Sequence, residues 1–103
     1  MSQESQLAPL SDIGLVGLAV MGENLVLNME SRGFQVSVFN RSTDKVKNFV
    51  ADRAAGKRIR GTYSLAELVT TLAKPRRVML MVKAGKPVDD FIEQLIPLME
   101  EGD

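Results

Sequence analysis

The 103-residue chain has no cysteine and no histidine. The first absence excludes disulfides and thiolate chemistry and fits an intracellular address. The second removes the commonest general base and metal ligand. Charge of one sign is also missing, because 13 basic residues balance 13 acidic ones. That balance leaves no electrostatic footprint for nucleic acid or an anionic membrane. No apolar run approaches the roughly 20 residues of a transmembrane helix. Residues 1–11 are polar and carry Glu4. They lack the basic start and apolar stretch of a secretory signal and the arginines of a transit peptide. They are expected to form a disordered lead-in, and the setting is expected to be cytoplasmic. What is present is an ordinary globular composition, 45% hydrophobic and 25% charged, enough for one core of modest depth.

Along the chain the hydrophobic pattern alternates between strand and helix. Residues 12–17 are a nearly continuous apolar run, as in a strand buried on both faces. A helical pattern follows from Val20 to about Ser31 and stops at Arg32-Gly33. Residues 35–40 read as a second strand, and residues 43 to about 54 as an amphipathic helix through Val46, Phe49 and Val50. Residues 57–61 form a short connection or a marginal strand. Ser64-Leu65-Ala66-Glu67 is a capping box opening a helix that should reach about Ala73. Residues 77–82 are the most apolar strand, and a last helix should start near Pro87, be broken or kinked at Pro97 and end at Gly102.

This rhythm predicts an α/β fold, a Rossmann-like parallel sheet with flanking helices, of which residues 12–103 would be the first half. A complete dinucleotide fold has about six strands. Three clear strands are expected here, with the chain stopping where the next should begin. The 78–82 strand would then lack a neighbour on one edge, which predicts a marginal fold.

Gly17-Leu18-Ala19-Val20-Met21-Gly22 is a G-x-A-x-x-G form of the dinucleotide fingerprint. Gly17 permits a sharp turn out of the strand. Ala19 is small enough for backbone amides to approach a pyrophosphate, and Gly22 lets helix and strand pack closely. The helix then aims unpaired amides and its positive dipole end at the phosphates. The plainer alternative is a tight strand-helix turn with small residues for packing, but the strand, helix and next strand all fall in register.

The end of the second strand sharpens this reading. An NAD site places an acid there to bind the ribose 2′-hydroxyl. This chain has Asn40-Arg41-Ser42-Thr43. A carboxylate would repel a 2′-phosphate, whereas the guanidinium of Arg41 can hold one by two parallel hydrogen bonds, with Ser42 and Thr43 adding hydroxyls. The alternative is a solvated arginine in a turn and a Ser42 that only caps the next helix. Position favours NADP over NAD. Val82-Lys83-Ala84-Gly85-Lys86 lies at the carboxyl edge of the third clear strand, where its backbone could flank a nicotinamide. The alternative for Lys83 and Lys86 is a pair of solvated loop residues, the reading favoured for Lys86, and the 57–60 basic stretch reads as an exposed connection. Asp89-Asp90 suits a helix first turn better than a metal pair. Met21, Met29, Met79 and Met81 are read as core packing.

The stretches Gly17 to Leu25, Leu27-Asn28, Phe39 to Ser42, Lys45-Val46 and Val82 to Asp89 together resemble the amino-terminal part of the 6-phosphogluconate dehydrogenase family. The resemblance covers residues 12–103. β-Hydroxyacid dehydrogenases share the architecture but usually carry a second glycine where this chain has Ala19. The resemblance implies NADP-dependent oxidative decarboxylation of 6-phosphogluconate to ribulose 5-phosphate in the pentose phosphate pathway. By position it places residues Leu18, Ala19, Val20, Met21, Gly22 and Glu23 along the pyrophosphate. It places Arg41, Ser42 and Thr43 at the 2′-phosphate, and Val82, Lys83 and Ala84 beside the nicotinamide. The family's catalytic lysine and glutamate, its Gly-Gly-Asn segment and most of its homodimer-forming helical domain lie further along the sequence. This chain alone is therefore expected to be inactive, with no catalytic residue and no metal site of its own. The competing readings are a fragment of a β-hydroxyacid dehydrogenase and a non-catalytic NADP-binding module.

Overall fold

The computed structural model describes residues 8–82 and 85–100. Four strands form one parallel sheet: β1 (Ile13–Val16), β2 (Val36–Phe39), β3 (Ile59–Gly61) and β4 (Val78–Leu80), in the order β3-β2-β1-β4. Ile13 pairs with Val36, Gly14 with Val78, and Val36 in turn with Ile59. The helices are α1 (Val20–Ser31), α2 (Thr43–Ala51), α3 (Leu65–Thr70) and α4 (Lys86–Leu95), the last running into a 3-10 turn at Ile96–Leu98.

Both faces of the sheet are covered, which explains the apolar runs. Leu15, Val36, Val38 and Ile59 pack with Val26 of α1 and with Val46 and Phe49 of α2. Val16 and Phe39 pack with Leu65, Leu68 and Val69 of α3 and with Phe91 and Leu95 of α4. Successive strand residues thus serve opposite cores, and burying each Leu or Val contributes about 1.5–3 kcal/mol. All four positions of β2 are buried, because helices cover the sheet on both of its faces.

The topology places the site. The chain runs β1 to β2 to β3 in one direction, with α1 and α2 on one face. It then crosses to β4 on the other side of β1, with α3 on the opposite face. The strand order therefore reverses between β1 and β4, and the crevice at their carboxyl ends is where open α/β sheets bind ligands.

Helix ends follow the sequence signals. Gly33, at φ +101°, turns the chain out of α1, and the Phe34 amide reaches back to the Met29 carbonyl. The Ser64 hydroxyl accepts from the Glu67 amide at 3.0 Å, as the capping box predicts. Residues 59–61 are a true strand rather than a connection. Their backbone pairs with β2, and Thr62 prolongs the edge by bonding Val38 through both amide and hydroxyl.

Two expectations need correction. The helix predicted to reach Ala73 ends at Thr70, because the next residues pair with Ser11. The Ser11 amide donates to the Thr71 carbonyl, and the Ala73 amide donates to the Ser11 carbonyl. Residues 8–11 are accordingly anchored, where a disordered lead-in was expected. The Gln35 side chain bonds both backbone groups of Ala8, and Arg60 donates to the carbonyls of Ala8 and Pro9. The buried hydroxyls of Ser11 and Ser37 meet at 2.7 Å. Residues 1–7 and the expected stop at Gly102 lie outside the described residues. Among the described strands β4 is an edge, as expected, and it is only partly buried. No described helix is long and apolar enough to cross a membrane.

Candidate functional site

Three chain turns converge at the carboxyl ends of β1, β2 and β4. The turn after β1 is held from both sides. The Gly17 amide donates to the Phe39 carbonyl of β2, and the Met81 amide donates to the Val16 carbonyl. Gly17 sits at φ +109°, and a side chain there would collide with the Met81 carbonyl. A side chain at Gly22 would likewise run into the Gly17 carbonyl, so the start of α1 lies directly against the turn.

Residues 18–23 divide by what their amides do. The Leu18 amide donates to Asn40 Oδ1 at 2.8 Å, and its side chain is buried in the core beneath α1. The Glu23 amide closes the first turn on the Ala19 carbonyl. Its carboxylate turns away to meet Arg53 at 2.6 Å, while Arg53 also donates to Asn24. Between them, Ala19, Val20, Met21 and Gly22 carry amides with no acceptor among the described residues, and no side chain caps the helix. These are the unpaired donors of a helix start, gathered at the positive end of its dipole. The side chains of Val20 and Met21 are exposed, so Met21 is not the core residue expected from its type.

A cleft of about 480 Å³ opens at this point, lined by the 19–22 turn and by Leu80, Met81 and Val82. Val82 is thus where the sequence put it. Lys83 and Ala84 lie outside the described residues. A groove of about 550 Å³ also runs between β4 and α4, but it reaches Arg76 and Arg77 at the amino end of β4, away from the converging turns.

The turn after β2 carries the remaining candidates. Asn40 is a strut: besides accepting from Leu18 it donates to the Ser42 carbonyl at 3.0 Å, tying the two turns together. Ser42 occupies the N-cap position of α2 without a side-chain capping bond, leaving its hydroxyl free of that duty, and Thr43 opens the helix. Arg41 is exposed, and no hydrogen bond or ion pair ties its guanidinium to a described residue. Instead the guanidinium lies 5.2 Å from the ring centre of Phe91, a contact that the sequence pattern did not reveal. Its only sequence signal was an aromatic residue on the apolar face of the last helix. Among the described residues no group of three or more acidic residues is placed to hold a metal ion.

Unpaired amides at a helix start, a turn only glycine can make and an arginine one strand away whose N–H groups meet no described acceptor fit a phosphorylated dinucleotide. A family model described as the NAD binding domain of 6-phosphogluconate dehydrogenase matches residues 12–103. The chain belongs to this family. Among its curated relatives, the decarboxylating 6-phosphogluconate dehydrogenase of Treponema pallidum is 63% identical over 93 residues, 90% of this chain and 19% of the relative. The Dictyostelium discoideum enzyme of the same name is 66% identical over 92 residues, 89% of this chain and 19% of the relative.

A solved structure of Plasmodium falciparum 6-phosphogluconate dehydrogenase aligns with a TM-score of 0.79 at 41% identity, over 89% of this chain and 20% of that one. It is described in its apo form and in complexes with its cofactor NADP+ and its substrate 6-phosphogluconate. The chain thus spans about a fifth of the length of the 6-phosphogluconate dehydrogenases it matches. The predicted Rossmann-like half-fold and the family resemblance are both borne out.

Proposed function

We propose that this chain is the NADP-holding portion of a decarboxylating 6-phosphogluconate dehydrogenase. The observation that carries the reading is an arginine at the end of β2 with no hydrogen-bond or ion-pair partner among the described residues, beside a helix start with unpaired amides. The amides of Ala19, Val20, Met21 and Gly22 donate to the pyrophosphate, assisted by the α1 dipole. Arg41 holds the 2′-phosphate by its forked donors, with Ser42 and Thr43 as hydroxyl partners. Asn40, Leu18 and Gly17 act by shaping the turns, and Glu23 by securing α1 to Arg53. Val82, Lys83 and Ala84 border the nicotinamide.

When bound, NADP supplies the acceptor for a hydride from a sugar-acid alcohol. This chain's part is to bind and orient that acceptor at the carboxyl edge of the sheet. In the whole protein the reaction is oxidative decarboxylation of 6-phosphogluconate to ribulose 5-phosphate, run by a cytoplasmic homodimer, and the chemistry on the sugar belongs to other segments. The relatives' names and the solved complex support this reading over a β-hydroxyacid dehydrogenase.

Thermal shifts with NADP and NAD, in the parent and in Arg41→Ala, test the cofactor assignment. NADP should stabilise the parent more than NAD does, and the substitution should erase the difference. Equal stabilisation by NAD, or NADP binding unchanged in Arg41→Ala, would refute it. Activity of the full-length protein with 6-phosphogluconate but not 3-hydroxyisobutyrate tests the substrate.

A further inference from the structure

Arg41 and Phe91 stand 50 positions apart in sequence, yet the guanidinium carbon lies over the ring, and the ring is itself supported. Phe91, on α4, is 4% exposed and meets Phe39 edge to face, at 6.5 Å between ring centres and 82° between planes. Phe39 is the last residue of β2, two positions before Arg41. The strand end that bears the guanidinium therefore also anchors the ring on which it rests. We infer that Phe91 is a positioning residue for Arg41, fixing the guanidinium for the 2′-phosphate. This rests on the NADP reading above.

The physical case turns on what each kind of partner would consume. A long arginine side chain left free loses rotamer freedom when it clamps a ligand. Pre-ordering removes part of that cost before binding. A carboxylate could order Arg41 but would occupy the N–H donors and repel the phosphate. An aromatic face attracts the cation through its quadrupole and takes no N–H at all. The charge is held over the ring, and the guanidinium keeps its N–H groups free of described acceptors for two parallel bonds to a phosphate. Among the described residues no carboxylate competes, since none makes an ion pair with Arg41. The sequence alternative of a freely solvated arginine differs in having no such ring.

The effect must be confined to ligands bearing a 2′-phosphate, and this separates positioning from general packing. Titrations with adenosine 2′,5′-bisphosphate and with adenosine 5′-monophosphate read it directly. The parent should prefer the bisphosphate. Phe91→Leu should weaken bisphosphate binding roughly three- to tenfold, the scale of a partly desolvated cation-π contact, and leave the monophosphate unchanged. Phe91→Tyr, which keeps the ring, should restore the preference. In an Arg41→Ala background, Phe91→Leu should change nothing further. If Phe91→Leu does not fold, Phe91→Met carries the same test, since it keeps the volume without a ring face. Equal losses for both ligands, no loss, or tighter bisphosphate binding would overturn the inference. A parent with no preference for the bisphosphate would instead overturn the NADP reading, and this inference with it.

Discussion

Removing the Asn40 side chain by Asn40→Ala should loosen two turns at once, and the structure sets the scale. Its Oδ1 is the acceptor for the Leu18 amide at 2.8 Å, in a partly buried position at the exit of β1. Leaving such a donor unpaired costs about 1–3 kcal/mol. The second bond, to the Ser42 carbonyl, is exposed, and its loss adds little. For a chain of 103 residues each kcal/mol corresponds to about 5 °C in melting temperature. Asn40→Ala should therefore melt about 5–15 °C lower and bind NADP more weakly. Asn40→Asp provides the contrast. Its carboxylate still accepts from Leu18 near the start of α1, so it should melt closer to the parent. It also puts a negative charge beside Arg41 and should lose the NADP preference. Scanning calorimetry with and without NADP measures both effects. An Asn40→Ala protein that melts within about 2 °C of the parent would refute the strut, since that is well below one unpaired amide.

Gly22→Ala should be far more damaging than an ordinary helix substitution, because the new methyl group meets the Gly17 carbonyl, which the turn fixes in place. A urea midpoint at or above the parent's would show that the turn yields instead. Ser64→Ala removes the hydroxyl that accepts from Glu67 and should cost about 1 kcal/mol in urea unfolding, with NADP affinity unchanged because α3 lies away from the cleft.

Much of the fold was legible because local chemistry and tertiary role agree. The 13–16 run is apolar because Leu15 and Val16 face different cores. Arg32-Gly33 ends α1 by a left-turning glycine, and Ser64 caps α3 as its spacing to Glu67 demands. What was ambiguous or missed depends on distant partners. β3 is three residues long, too short to display a period, and exists through its pairing with β2. The anchoring of residues 8–11 comes from Gln35 and Arg60, at separations of 27 to 52 positions.

The site divides in the same way. The glycine turn was readable from residue type and order, since Gly17 and Gly22 leave no room for a side chain, and the exposed place of Arg41 just past β2 was readable from the strand pattern. The separate duties of Leu18, Glu23 and Asn40 were not, because each is decided by a side chain on another element. The support of Arg41 by Phe91 belongs with these, as it requires α4 to fold back over the end of β2.

The central claim is that the turn after β1 and the turn after β2 together grip NADP. Amide-resolved NMR titration of the chain with NADP tests it most directly. The account predicts that the largest shifts fall on the backbone amides of Ala19, Val20, Met21 and Gly22 and on the Arg41 side chain, while NAD leaves Arg41 unmoved. Shifts absent from these groups, or concentrated along the β4–α4 groove at Val78, Ile92 and Met99, would contradict it.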